Sequence, residues 1–282
     1  MTTTIRASML PAYPDCPRRA AARQWRDEIQ AAGFELREIR PTAGAAVGTA
    51  VHAAAARMLQ AKRDAGDPGR PEDAVEQAIA GFREEVAAGC EWDDSTPNGR
   101  TAETQITRQT RMYAQTVVPA ADPFVVENTW PGETEPRRLW ADAGDGFRLT
   151  GTVDLVTTAL DLDDLKTGVL PRPYQAQLGG YSLLLRSQPE PITPRSLRRT
   201  WLERTRQSKP QAEPRSQEYD RGDSERAAAG TIRAIKGSLH AFRDGGSSDP
   251  WSFPANPMSM MCSRKFCPAH STPWCALGRK ED

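Results

Sequence analysis

Gly151-Thr152-Val153-Asp154, followed a short way on by Asp164-Leu165-Lys166-Thr167-Gly168, is the stretch from which the rest of the chain can be read. Both pieces mix β-branched and acidic residues with glycine punctuation, which predicts short strands. Side chains alternate faces along a strand, so Asp164 and Lys166 point one way and Leu165 the other. A tight connection near residues 158–161 brings Asp154, on the preceding strand, beside that pair. Two carboxylates converging on one spot make an oxygen-rich site for a hard divalent cation, Mg²⁺ or Mn²⁺. The adjacent lysine is placed to orient a water nucleophile or to offset charge on a scissile phosphate. The plain alternative is a solvated, acid-rich hairpin whose lysine makes a surface ion pair.

Working outward, residues 123–130, 137–144, 147–158 and 160–168 read as a meander of three or four strands. The chain before them is mostly helical. Pro17 suits a first helical turn and Gly33 a stop. Further helices are expected near 49–65, closed by the breaker GDPGRP at 66–71, near 72–88, and near 102–118, the last two separated by the turn-rich DDSTPNG at 93–99. Downstream, Pro171 and Pro173 precede a helix in YQAQLGGYSLLLRS (174–187), then come a strand at 196–206 and a helix near Arg221–Arg243. The tail from Gly245 is rich in Gly, Pro, Ser and Cys. This order fits an α/β class with α+β character, in which helices flank a central sheet. It divides into a helical N-terminal part (1–120), a core (121–244) and a cysteine-rich tail (245–282).

The 282 residues carry 37 Lys+Arg against 37 Asp+Glu, so no overall basic charge announces a nucleic-acid partner. The distribution is uneven, however. From Ala120 to Lys166 there are ten acidic residues against four basic, and from Arg186 to Arg215 eight basic against three acidic. Arg198, Arg199, Arg204, Arg206 and Lys209 surround Trp201, a pattern in which cations track phosphates and an aromatic ring stacks on an unpaired base. The alternative is an amphipathic strand with Trp201 in the core. No apolar run reaches the roughly 20 residues of a membrane span. The first residues lack the apolar region of an export signal, so a cytoplasmic location is expected. No GxxxxGK[ST] loop is present, so this chain carries no ATP-driven motor of that type.

Two further features accompany the acidic hairpin. His52 lies in Gly48-Thr49-Ala50-Val51-His52, on a small, apolar helix, and Gln177 and Tyr181 lie four apart on one helix face. Singly, His52 reads as a core histidine and Gln177/Tyr181 as an amphipathic pair. In order, GTAVH (48–52), GTVD (151–154), DLKTG (164–168) and QLGGY (177–181) resemble the successive motifs of the RecB-type PD-(D/E)XK nucleases. The resemblance implies a restriction-endonuclease-like core of mixed sheet flanked by helices. It implies His52, Asp154 and Asp164 as metal ligands, joined by the backbone carbonyl of Leu165, with Lys166 as the catalytic lysine. Gln177 and Tyr181 would line the active site and help position the DNA strand, and Glu127 is a weaker candidate for the metal site.

Five cysteines in a chain without an export signal argue for metal binding or burial rather than disulfides. Cys16, Cys262, Cys267 and Cys275 supply the four thiolates of a cubane cluster. Cys16-Pro17-Arg18-Arg19 together with C-terminal cysteines resembles the iron–sulfur branch of the same family, which includes AddB-type nuclease domains and CRISPR-associated adaptation nucleases. The resemblance therefore implies a 4Fe-4S cluster stapling the two ends of the chain. The spacing here, C-x4-C then C-x7-C, is wider than that branch's usual one. The alternative is a local zinc site of Cys262, Cys267, His270 and Cys275. Cys90 is left as a free thiol.

The expected function is a metal-dependent DNA nuclease, with exonuclease action favoured over endonuclease. Its substrate would be single-stranded DNA or DNA ends, in recombination, repair or phage/CRISPR-type processing, with a possible helicase or recombination partner. The alternative is a non-catalytic nucleic-acid-binding module stabilised by zinc or an iron–sulfur cluster, or a subunit of a recombination complex.

Overall fold

The computed structural model describes residues 2–169, 173–206, 208–244 and 249–276. Pro171, expected to help open a helix, lies outside them, as do Gly245, where the tail was expected to begin, and residues 277–282.

Five strands form a mixed sheet: β2 (Pro123–Val126), β5 (Leu155–Thr157), β6 (Asp161–Gly168), β7 (Ser196–Glu203) and β8 (Arg215–Tyr219), in the order β2-β5-β6-β7-β8. All neighbours are antiparallel except β6 and β7, which run parallel from Asp161↔Ser196 to Gly168↔Glu203. A parallel pair needs a crossover, and the chain between β6 and β7 supplies it as α6 (Gln175–Arg186). A second, three-stranded sheet has the order β1-β4-β3, from β1 (Thr3–Arg6), β3 (Leu139–Gly144) and β4 (Phe147–Gly151).

The expected meander is thus two sheets. The run 147–158 breaks at Gly151-Thr152, and its halves, β4 and β5, join different sheets. Strand β1 pairs in parallel with β4, so the first residues of the chain lie beside the middle of it.

Among the described residues, α3 (Ala43–Ala65), α4 (Pro71–Ala87) and α5 (Gly99–Thr116) cover one face of the large sheet. They bury an apolar cluster of Val47, Val51, Met58 and Phe82 with Leu155, Leu165 and Leu202. α6 and α7 (Arg221–Asp244) cover the other face through Leu178, Leu184, Ile235 and Phe242. There a second cluster also takes in Ile5, Leu149 and Leu162 and, from the tail, Phe253 and Trp274. α1 (Pro17–Gln24) and α2 (Arg26–Ala31) replace the single helix expected at 17–33, with the break at Trp25.

Close approach fixes two glycines. A Cβ on Gly179 would sit 1.9 Å from the Ser224 carbonyl oxygen, so α6 and α7 meet backbone to backbone. A Cβ on Gly48 would lie 2.7 Å from Thr167 Oγ1, so the bare flank of α3 lets it rest on the end of β6. Thr42 caps α3 by accepting the Ala45 N–H, and Gly66, in the left-handed region at φ 74°, closes it. The helix begins a turn and a half before the expected residue 49 because that cap precedes the GTAVH segment.

Candidate active site

The two sheets, α3 and α6 converge on an open cleft of about 1220 Å³. His52, Glu127, Asp154, Lys166, Gln177 and Tyr181 all line it. They arrive from separate elements of the fold. α3 brings His52 three turns from its cap, and the link between β4 and β5 brings Asp154. β6 brings Asp164 and Lys166, while α6 presents Gln177 and Tyr181, one turn apart.

Strand alternation holds in β6. Leu162 packs in the cluster under α6 and Leu165 in the cluster under α3, so Asp164 and Lys166 share the α6 side. Lys166 Nζ donates to Asp164 Oδ1 at 2.8 Å and lies 4.9 Å from the Tyr174 ring centre. Asp164 is wholly buried, and its Oδ2 has no hydrogen-bond partner. Asp154 Oδ2 accepts the Leu165 N–H at 2.8 Å and lies 3.6 Å from His52 Nδ1. Gln177 Nε2 donates to the Tyr181 hydroxyl at 2.7 Å.

Among the described residues, His52, Glu127 and Asp154 are the one group of three such side chains whose ligand atoms lie within 4.8 Å of one another. Glu127 therefore stands inside the cluster, although no motif marked it. Asp164 stands behind it, tied to Lys166. The Leu165 contact found here is its N–H, which holds the Asp154 carboxylate.

Glu127 and Asn128 both have positive φ, 46° and 59°. They form a left-handed turn just past β2, and a web of hydrogen bonds ties it to the β4–β5 link. The Glu127 N–H donates to the Asp154 carbonyl at 3.0 Å, and the Asn128 N–H to the Val153 carbonyl at 3.3 Å. The buried Asn128 side chain donates through Nδ2 to the Gly151 carbonyl at 3.0 Å and accepts the Val153 N–H through Oδ1 at 2.8 Å. Asn128 thus sets the separation of Glu127 and Asp154. Asn tolerates the left-handed region better than most residues, and its amide can both donate and accept. Sequence reading missed it; an Asn directly after a strand and a candidate ligand was the available signal.

The electrostatics follow from crowding like charges in a recess. Burial and the nearby Asp154 charge push Glu127 from 4.5 up to about 8. Burial likewise raises Asp164 to about 7; Lys166 pulls it down and Asp154 pushes it up. Burial would also raise Asp154, but His52, Lys166 and the Leu165 N–H outweigh that and hold it below the usual carboxylate value. Burial would lower His52, yet Asp154 raises it above 6.5. Lys166, though desolvated, is raised by Asp164 and Asp154 and stays a cation. Carboxylates held partly protonated, together with the orphaned Asp164 Oδ2, leave the site short of positive charge. The donor set of one imidazole and carboxylate oxygens is chemically suited to a divalent cation.

The basic stretch behaves differently from the phosphate-tracking expectation. Trp201 is 2% exposed and belongs to the interior. Arg198 Nε donates to buried Asp163 at 3.0 Å, Arg204 lies against Gly44 and donates to Ser95, and Arg215 pairs with Glu203. None of Arg198, Arg199, Arg204, Arg206 or Lys209 lines the cleft.

Cys16, Cys262, Cys267 and Cys275, all free thiols, line one small cavity where the start of α1 meets the tail. Burial raises Cys267 to about 11, and Cys16 and Cys275 add to the shift. His270 is 1% exposed, with Nδ1 beside the Ser271 hydroxyl and Nε2 unpartnered, and it does not line that cavity. Cys90 lies apart, half-buried.

No curated protein matches the chain. Residues 5–275 match a family model described as the PD-(D/E)XK nuclease superfamily, a span that includes both sheets, the cleft and the four clustered cysteines.

Proposed function

The chain belongs to the PD-(D/E)XK nuclease superfamily, and on that premise we propose that it is a divalent-metal-dependent deoxyribonuclease of the RecB type, acting as an exonuclease on single-stranded DNA or DNA ends. The observation that carries this reading is the convergence of His52, Glu127 and Asp154 within 4.8 Å, beside the Asp164–Lys166 pair, on the wall of one cleft.

In this reading His52, Glu127 and Asp154 hold Mg²⁺ or Mn²⁺, with Asp164 and the Leu165 carbonyl completing the site. Such an ion supplies Lewis-acid polarisation of the scissile phosphate and lowers the pKa of water. The protein's own groups do the rest. The Leu165 N–H fixes one Asp154 oxygen, leaving the other for the cleft. Lys166, kept protonated by Asp164, offers Nζ to a non-bridging phosphate oxygen or to the attacking water. Gln177 and Tyr181 position the strand. Hydrolysis forms a new P–O bond from water, breaks the P–O bond to the leaving nucleoside oxygen, and passes the water's proton to that oxygen. The site is recessed, with the His52 side chain 26% and that of Asp154 17% exposed. A single strand can lower one phosphate into such a recess more readily than a rigid duplex can.

The four cysteines are assigned a 4Fe-4S cluster. A tetrahedral zinc with Zn–S bonds of about 2.3 Å draws its sulfurs to within about 4 Å of one another. The described thiols and His270 form no such tight group, since the 4.8 Å cluster is His52, Glu127 and Asp154 alone. The grouping of Cys16 with the three tail cysteines around one cavity, with His270 outside it, favours a four-thiolate cluster. No described helix is long and apolar enough to cross a membrane. We propose a cytoplasmic setting, in recombination, repair or phage/CRISPR-type DNA processing, with a helicase or recombination partner supplying any motor.

The test is degradation of 5′- and 3′-labelled single-stranded and duplex DNA with Mn²⁺ or Mg²⁺, alongside iron and zinc analysis. Stepwise shortening of the single strand, lost in Lys166→Ala, is expected. Full activity in Lys166→Ala would overturn the site assignment, and zinc without iron would overturn the cluster.

A further inference from the structure

The cleft has a second wall that none of the motifs describes. It is the end of the three-stranded sheet, where register pairs Arg6 with Thr150 and Leu139 with Gly151. Arg6 closes β1, and Arg138 directly precedes β3, so the two stand on opposite sides of the end of β4. Both line the cleft with Thr150, Gly151 and Thr152, the residues that lead into Asp154.

Their surroundings distinguish them from the other basic residues there. Arg137 is gripped by Glu133, lies near Glu190 and covers the Trp130 ring, while Lys166 is held by Asp164. The Arg6 and Arg138 side chains are exposed and make no hydrogen bond, ion pair or ring contact among the described residues. Glu135, on the same rim, forms no ion pair with either. Across the cleft, α3 shows, besides His52, only the small residues Gly44, Ala45, Gly48, Thr49 and Ala53, so no bulky side chain of α3 fills the space opposite the two arginines.

We propose that Arg6 and Arg138 form a phosphate track for the strand being cut, gripping two backbone phosphates on the side of the scissile position that runs over the three-stranded sheet. The ligand class is the phosphodiester backbone of single-stranded DNA, so the proposal rests on the nuclease reading above. Two strand spacings and a two-residue offset along β4 separate the residues, about 12 Å between backbones, which long side chains can divide between two phosphates of one strand. A guanidinium fork matches phosphate oxygens in geometry and charge, and a pair with no protein partner gives up no internal contact on binding. Cations on this wall and carboxylates at the floor divide the work: the wall holds the strand and the floor holds the reacting phosphate.

The test compares Arg6→Ala/Arg138→Ala and Arg6→Lys/Arg138→Lys with the unaltered side chains, using a fluorescent oligo(dT) of about 20 nucleotides in an Asp154→Asn background, with salt varied around ~100 mM. The double alanine variant is expected to bind about tenfold more weakly or worse, with the slope of log affinity on log salt smaller by about 1.4, two phosphates' worth for a single strand. The double lysine variant should keep most of that slope. In the otherwise wild-type enzyme, the alanine pair should raise KM about tenfold and leave kcat within about twofold. Thermal melts check that both variants fold. Unchanged affinity, slope and KM in the alanine pair, with DNA still cut by the wild type, would overturn the track alone. Neither binding nor cutting by the wild type would overturn the track together with the nuclease reading.

Discussion

Glu127→Gln should make the metal-free protein more stable in alkaline buffer while destroying its activity. In the folded chain burial and Asp154 hold Glu127 near 8, against an ordinary 4.5. Between those values the folded state keeps a proton that the unfolded chain has released, so stability falls as pH rises through this window. Below about 4.5 both states are protonated and the penalty vanishes; above about 8 it is complete. A displacement of that size is worth at most about 5 kcal/mol. Glu127 borders the cleft, and solvent screening there reduces the expected gain to about 2 kcal/mol. At about 2–4 °C per kcal/mol for a chain of this size, Glu127→Gln should melt about 5 °C above wild type at ~pH 8.5 in EDTA. At ~pH 4.5 the two should melt together. Added Mn²⁺ should raise the wild-type melting temperature at pH 8.5 and leave the variant nearly unmoved, because the ligand cluster is broken. A variant less stable than wild type at pH 8.5 in EDTA would refute the claim that Glu127 is held against like charge.

Three other outcomes follow from particular contacts. Gly179→Ala sets a Cβ 1.9 Å from the Ser224 carbonyl oxygen, so α6 and α7 must part. The cost should be about 3 kcal/mol, seen as a drop of several degrees in melting temperature, and an unchanged melt would contradict the packing described. Asn128→Gly keeps the left-handed turn but removes both side-chain hydrogen bonds to Gly151 and Val153. It should cost about 2 kcal/mol and weaken Mn²⁺ binding, read by calorimetry well below the melting temperature; unaltered Mn²⁺ affinity would remove its positioning role. Cys16→Ser should empty the protein of iron and loosen α1 from the tail, measured by metal analysis and limited proteolysis, whereas a zinc site in the tail alone would survive it.

The parts of the site legible in the sequence were those set by local periodicity. Alternation along DLKTG placed Asp164 and Lys166 on one face, and a four-residue spacing placed Gln177 beside Tyr181; both contacts form. Glu127 read weakly because its position depends on a left-handed turn rather than on strand alternation. Asn128 did not read because its partners lie 23 and 25 residues away in the chain. Strand β1 is four residues of mostly polar sequence whose partner is β4, more than a hundred residues on, so no local pattern marks it. The split of 147–158 between two sheets turns on Gly151-Thr152, which reads as part of a continuous strand until tertiary packing divides it. The basic run 198–209 misled through composition. Arg198 pairs with buried Asp163 and Trp201 turns inward, while the two arginines of the cleft's second wall, Arg6 and Arg138, lie far from that run in the sequence.

The most direct test of the central claim is single-turnover cleavage of end-labelled single-stranded DNA by the wild type and by Asp154→Asn, with and without Mn²⁺. Asp154 accepts the Leu165 N–H and groups with His52 and Glu127 within 4.8 Å, so its neutral isostere keeps the fold while weakening the ligand set. The wild type should cut only with the metal, and Asp154→Asn should lose at least about a hundredfold in rate while melting within a few degrees of wild type. Cleavage by the wild type in EDTA, or by Asp154→Asn at the wild-type rate, would contradict a metal-dependent nuclease centred on this cleft.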